Sequence, residues 1–188
     1  MNNHNILIFL LERKSERFTI NQISKATGIN YRIVYEQIQM FKKEGIIETE
    51  RAGNSLLCSL TGHFNEKVFH AEYLRRRKAL EDKDLDTVTS RFVRARQNYI
   101  LLLFGSYAKR KNTQSSDIDL LAVTENEKEL IDIKSLVPKD IHLTCVSYDA
   151  FLRMRDRKDT SVVSEAMKNN IILIGIEDYY RLLDNDKR

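Results

Sequence analysis

The segment that most constrains this chain runs from residue 99 to residue 123. It reads YILLLF, then Gly105-Ser106, ten intervening residues, Asp117-Ile118-Asp119, and the apolar stretch LLAV. Five consecutive apolar residues from Ile100 to Phe104 fit a strand buried on both faces. Gly105 lets the backbone approach a ligand closely. Ser106 then stands near the start of the next helix, where amide groups and a hydroxyl can grip phosphate oxygens. Residues two apart on a strand share a face, so Asp117 and Asp119 project together, roughly 6–7 Å apart along the chain, while Ile118 turns to the core. Two carboxylates at a strand end near solvent can share a hard divalent cation, magnesium or manganese, together with substrate phosphate oxygens. The segment therefore predicts strand, tight turn, short helix, loop, strand.

The string GSYAKRKNTQSSDIDLLAV resembles the minimal nucleotidyltransferase motif of the DNA polymerase β-like superfamily. The resemblance covers roughly residues 84–188 and implies a small mixed sheet with covering helices. It implies Asp117 and Asp119 as catalytic metal ligands, and Gly105, Ser106, Lys109 and Arg110 as nucleotide-binding residues. The substrate so implied is a nucleoside triphosphate, ATP or another, bound with Mg2+ or Mn2+. The reaction is transfer of AMP to an acceptor hydroxyl. Relatives of this small size joined to a winged helix include antitoxins that modify a partner protein, which makes a protein acceptor or toxin a further expected partner.

Two departures from the family pattern bear on activity. Where the family shows Gly-Ser-x-Ala-x-Gly, Ala108 is kept but Arg110 takes the last position; for Lys109 and Arg110 a solvated helix face is the alternative to phosphate contact. Catalytic members also carry a third carboxylate on a neighbouring strand. The matching strand here is 141–146, with Ile141, Leu143 and Cys145 on one face and His142 and Thr144 on the other, and neither of the latter is an acid. Asp140, Asp149 and Glu165 are near in sequence, yet periodicity does not set them beside the pair. Two functions are consistent with this pattern: a metal-dependent nucleotidyltransferase, or a weak or inactive nucleotide-sensing regulator or antitoxin that binds DNA and a partner protein.

The N-terminal residues 1–62 predict a different module. Ile6, Leu7, Leu10 and Leu11 fall at helical spacing; Thr19 with Gln22 forms a capping-box pattern; Gly28 breaks that helix and Asn30 caps the next. Two short extended runs then flank Ala52-Gly53-Asn54, a hairpin turn. Residues 19–60 thus resemble a winged helix-turn-helix. With Val34, Ile38 and Phe41 inward, Tyr31, Arg32, Tyr35 and Gln39 face outward as groove-reading types, and Lys42, Lys43 and Arg51 can neutralise phosphates of double-stranded DNA. Protein docking or dimerisation is the alternative use of such a module, and a homodimer is expected on the palindrome argument.

Residues 63–83 are expected to be a helical connector ending in the basic run 75–78, read as a solvated helix end. Leu85, Val88, Phe92, Ala95 and Tyr99 then predict one amphipathic helix within a domain spanning 84–188. The whole is an α+β protein. Its net charge of +4 permits nucleic acid without requiring it. The apolar run at the start is too short for a membrane span and lacks a signal-peptide flank, and the two cysteines, Cys58 and Cys145, read as reduced buried thiols. A cytoplasmic protein with no membrane partner is the expectation.

Overall fold

The computed structural model describes residues 3–113, 116–155 and 161–185, so positions 114 and 115 of the spacer lie outside the described residues. The chain divides into two units, Met1–Leu74 and Arg75–Arg188, with the boundary falling inside one helix. The mixture of helices with two separate sheets makes it an α+β protein. No helix among the described residues is long and apolar enough to cross a membrane.

The first unit runs α1 (Asn3–Leu11), β1 (Phe18–Thr19), α2 (Ile20–Thr27), α3 (Tyr31–Lys43), β2 (Ile47–Ala52), β3 (Ser55–Leu60) and the start of α4 (Glu66–Ala79). Local chemistry sets its helix ends. The Thr19 hydroxyl accepts from the Gln22 amide at 3.2 Å while Gln22 Oε1 accepts from the Thr19 amide at 2.8 Å, the reciprocal pair the capping box requires. Asn30 Oδ1 accepts from the Arg32 amide at 2.9 Å to start α3. The three strands form an antiparallel sheet in the order β1-β3-β2, and pairing of Ala52 with Ser55 leaves Gly53-Asn54 as a two-residue hairpin turn. Val34, Ile38 and Phe41 on α3 are fully buried, as their spacing predicts, alongside Ile6, Leu10, Ile23 and Ile47. Cys58 is buried with them, and burial pushes its thiol up to about 11. Cys145 is only half-buried, because its strand lies at a sheet edge.

The second unit holds the end of α4, then α5 (Lys83–Phe92), β4 (Ile100–Phe104), α6 (Gly105–Ala108), β5 (Ile118–Val123), α7 (Lys128–Ser135), β6 (Ile141–Val146), α8 (Tyr148–Arg155), α9 (Val162–Lys168), β7 (Ile171–Ile174) and α10 (Ile176–Asn185). Its sheet has the order β6-β5-β4-β7; β4 runs antiparallel to both neighbours, and β5 is parallel to β6. All five residues of β4 are buried, which is why that strand reads as an unbroken apolar run. Leu85, Val88 and Phe92 of α5 pack on Leu101, Leu103, Ile118 and Leu120 from one face of this sheet.

Two sequence expectations need correction. The helix holding Leu85, Val88 and Phe92 stops at Phe92 and does not extend to Tyr99. Tertiary bonds take over there: the Arg96 amide donates to Glu129 at 2.8 Å, the Gln97 side chain donates to the Asn126 carbonyl at 2.8 Å, and the Tyr99 hydroxyl donates back to the Phe92 carbonyl at 2.6 Å. The basic run 75–78 is also not wholly a solvated helix end. Arg75 is 4% exposed and its Nη2 donates to the Asn170 carbonyl at 2.6 Å, so this arginine is a buried tie within its unit.

Candidate active site

The site is built where β4 meets β5. Antiparallel pairing puts Phe104 opposite Asp119, so the turn after β4 begins directly against the Asp119 side chain. Gly105 occupies that point with φ +68, and a Cβ added there would lie 2.1 Å from Asp119 Oδ2, 2.9 Å from Cγ and 3.2 Å from Cβ. The carboxylate of Asp119 therefore rests on the glycine backbone in space that any other residue would fill. Backbone direction, strand register and the glycine together fix where this carboxylate stands.

Parallel pairing on the other side of β5 sets Asp119 beside His142, whose Nδ1 is 3.7 Å from Asp119 Oδ1. Asp119 is partly buried while His142 is largely exposed. Asp117 sits one residue before β5 and is exposed. Burial holds the Asp119 carboxyl above the usual carboxylate range; His142 opposes this, Glu165 and Asp117 reinforce it as like charges, and Lys109 opposes it more weakly.

Asp119 and His142 open into a cleft of about 430 Å³ lined also by Phe104, Gly105, Thr144 and Glu165 among others. Glu165 is the residue that sequence periodicity does not place. It comes from the first turn of α9, which packs on β4 and β5, and its Oε1 bonds Lys109 Nζ at 3.0 Å. Nothing in the local sequence signals this, because the position depends on the packing of a helix more than forty residues beyond the aspartates.

The remaining residues divide between two places. Ser106 is half-buried in α6, and Lys109 reaches Glu165. Arg110 has a left-handed backbone, φ +52, and lines a separate cleft of about 240 Å³ with Lys78, Glu81, Asp82, Tyr107 and Asn112. Arg110 thus stands apart from the cleft that holds Asp119. As to a cation, among the described residues no three His, Cys, Asp or Glu side chains come together as a metal cage. The donors nonetheless fit magnesium, which seldom uses all-protein cages and takes one or two carboxylates plus substrate phosphates. Asp119 in its glycine cradle, with Asp117 beside it in sequence, supplies that donor type.

Residues 87–178 match the family model described as Polymerase beta, Nucleotidyltransferase. No curated protein and no solved structure matches the chain. The match supports the nucleotidyltransferase superfamily for this part of the chain and suggests nucleotidyl transfer at the level of the family. The matched segment contains both aspartates, Gly105, His142 and Glu165, and lies wholly within the second unit.

In the first unit, Tyr31, Arg32 and Tyr35 are exposed on α3, with Tyr31 at 53% and Tyr35 at 42%. Gln39 is half-buried, Lys42 and Lys43 are in the last turn, and Arg51 is exposed on β2. Arg32 is not wholly available to a ligand, since its Nε bonds Glu36 Oε1 at 3.0 Å along the helix.

Proposed function

We propose that the second unit binds a nucleoside triphosphate, ATP, with Mg2+ or Mn2+ held by Asp117 and Asp119, and transfers a nucleotidyl group to an acceptor hydroxyl. The observation that carries this reading is the contact between Gly105 and Asp119: the turn able to grip phosphate and the carboxylate able to grip a cation touch each other. Gly105 and Ser106 bind and orient the phosphates through backbone amides and the serine hydroxyl. Lys109 adds a positive charge beside them. The hydroxyl oxygen of the acceptor attacks the α-phosphorus and gives up its proton to solvent, the bond to the bridging oxygen breaks, and pyrophosphate leaves. The cation, when bound, neutralises phosphate charge and stabilises the leaving group. The partial burial of Asp119 limits water around the reacting phosphate.

The first unit is read as a winged helix-turn-helix that docks α3 in the major groove of double-stranded DNA, with Tyr31, Arg32, Tyr35 and Gln39 toward the bases and Lys42, Lys43 and Arg51 on phosphates. Support comes from the order of three helices and then a hairpin, and from the exposure of the α3 residues.

Incubation of the protein with α-labelled ATP, Mg2+ and cell extract tests the enzymatic reading. Label should appear on an extract component, and Asp117→Ala with Asp119→Ala should abolish it; transfer that survives both changes refutes the site. One observation favours a second reading, a nucleotide-sensing regulator or antitoxin without turnover: the residue in register with Asp119 on β6 is His142 and not an acid. Calorimetric binding of ATP with no transfer to any extract component supports that alternative.

A further inference from the structure

The Lys109–Glu165 ion pair joins the two halves of the proposed site, and its role there rests on the nucleotidyl-transfer reading of that site. Lys109 comes directly after α6, on the phosphate side; Glu165 projects from α9 into the cleft that holds Asp119. Glu165 lines that cleft together with Asp119, whereas Lys109, 3.0 Å from Glu165, does not. Both side chains are substantially exposed, at 38% and 50%, which makes the pair weak and easily exchanged. Glu165 and Asp119 line one and the same cleft.

A triphosphate competes directly for such a lysine, because it carries more negative charge than one carboxylate and presents several acceptor oxygens. Once Lys109 turns to phosphate, Glu165 is left uncompensated near Asp119. Two like charges facing one cleft favour a divalent cation between them.

We propose that the Lys109–Glu165 ion pair couples the two ligands of the site: capture of the triphosphate by Lys109 releases Glu165 to join Asp119 as a ligand of the divalent cation. Glu165 thereby acts as a third acid supplied from helix α9, not from the strand that carries His142. The coupling is reciprocal, so cation binding also tightens triphosphate binding.

The test uses Mn2+ alone, titrated into the full chain without nucleotide and monitored by the electron paramagnetic resonance signal of free Mn2+. Four proteins are compared: the unaltered chain, Lys109→Gln, Glu165→Gln and the double variant. Lys109→Gln should tighten Mn2+ binding in the unaltered background, and this gain should be about tenfold larger than the gain from the same change in the Glu165→Gln background. The double variant separates release of Glu165 from simple removal of a positive charge, which would help equally in both backgrounds. Equal gains, or no gain from Lys109→Gln, overturn the proposal. Asp119→Asn in the same titration judges the underlying reading separately. If it leaves Mn2+ affinity untouched, the cation site itself is misplaced and the coupling falls with it; if it weakens binding while the cycle shows no coupling, only the role of Glu165 fails. Both changed residues are partly exposed and the substitutions are close in size, and far-UV circular dichroism verifies that each variant is folded.

Discussion

Replacing Gly105 with alanine is the sharpest perturbation of the site, because its cost splits into two parts that can be measured apart. The first is backbone strain: at φ +68 a residue with a Cβ pays about 1–2 kcal/mol. The second is steric. The new Cβ would lie 2.1 Å from Asp119 Oδ2, and distances of 2.9 Å to Cγ and 3.2 Å to Cβ mean that rotating the carboxylate alone does not clear the contact. Forcing Asp119 off its rotamer adds about 0.5–1.5 kcal/mol, for a total of about 1.5–3.5 kcal/mol. Gly28 supplies the control, with the same φ of +68 and nothing within 4 Å of an added Cβ; Gly28→Ala should cost the backbone part only. Urea titration read by hydrogen-exchange mass spectrometry tracks each unit by its own peptides. Gly105→Ala should exceed Gly28→Ala by about 1 kcal/mol, and most of that excess should disappear when Asp119→Ala is added. In the transfer assay, displacement of Asp119 by about 1 Å predicts a loss of roughly a hundredfold. If the two glycine variants lose equal stability and the pair with Asp119→Ala is strictly additive, the contact on which the site is built does not exist.

The pH dependence of Asp119 gives a second check. Its folded carboxyl sits above the ordinary value of 3.8, so the folded chain holds that proton more tightly than the unfolded chain; the contribution is favourable below that ordinary value and is lost as pH rises through the folded one. Asp119→Asn should therefore raise the Tm of the cation-free protein at about pH 7, and the gain should vanish near pH 3; a gain of equal size at both pH values contradicts the assignment. Tyr99→Phe removes the buried hydroxyl that donates to the Phe92 carbonyl at 2.6 Å. It should destabilise the second unit by about 1–2 kcal/mol in the same exchange experiment, with an unchanged stability counting against this bond as the helix stop. In fluorescence titrations with duplex DNA, Lys42→Ala and Lys43→Ala should each lower the slope of log affinity against log salt by about 1, and a slope that does not move places the phosphate contacts elsewhere.

Much of the fold is legible in the sequence because local chemistry determines it. Thr19 with Gln22, and Asn30 before α3, announce helix starts through bonds that close within three residues. The runs at 100–104 and 141–146 announce strands because their burial and alternation are written residue by residue. The match of Gly105 to Asp119 is readable in kind, since a glycine after a strand implies close approach, but what approaches it depends on strand register. Glu165 is not readable as part of the cleft, because its place depends on how α9 packs on the sheet. Arg110 is expected among the phosphate ligands from its position in the motif; its left-handed backbone turns it to the other cleft, and no propensity argument anticipates a positive φ at arginine. Tyr99 misleads as a helix position because the spacing of apolar residues is blind to the tertiary bonds that end α5 at Phe92.

If Asp117 and Asp119 hold a cation against phosphates bound at the Gly105-Ser106 turn, that cation can be located directly. A crystal soaked with a non-hydrolysable triphosphate and Mn2+ does so through the anomalous signal of manganese. The expected result is a manganese peak at the Asp117 and Asp119 carboxylates, with phosphate density against the turn. Manganese bound elsewhere, or a triphosphate seated away from Gly105, contradicts it.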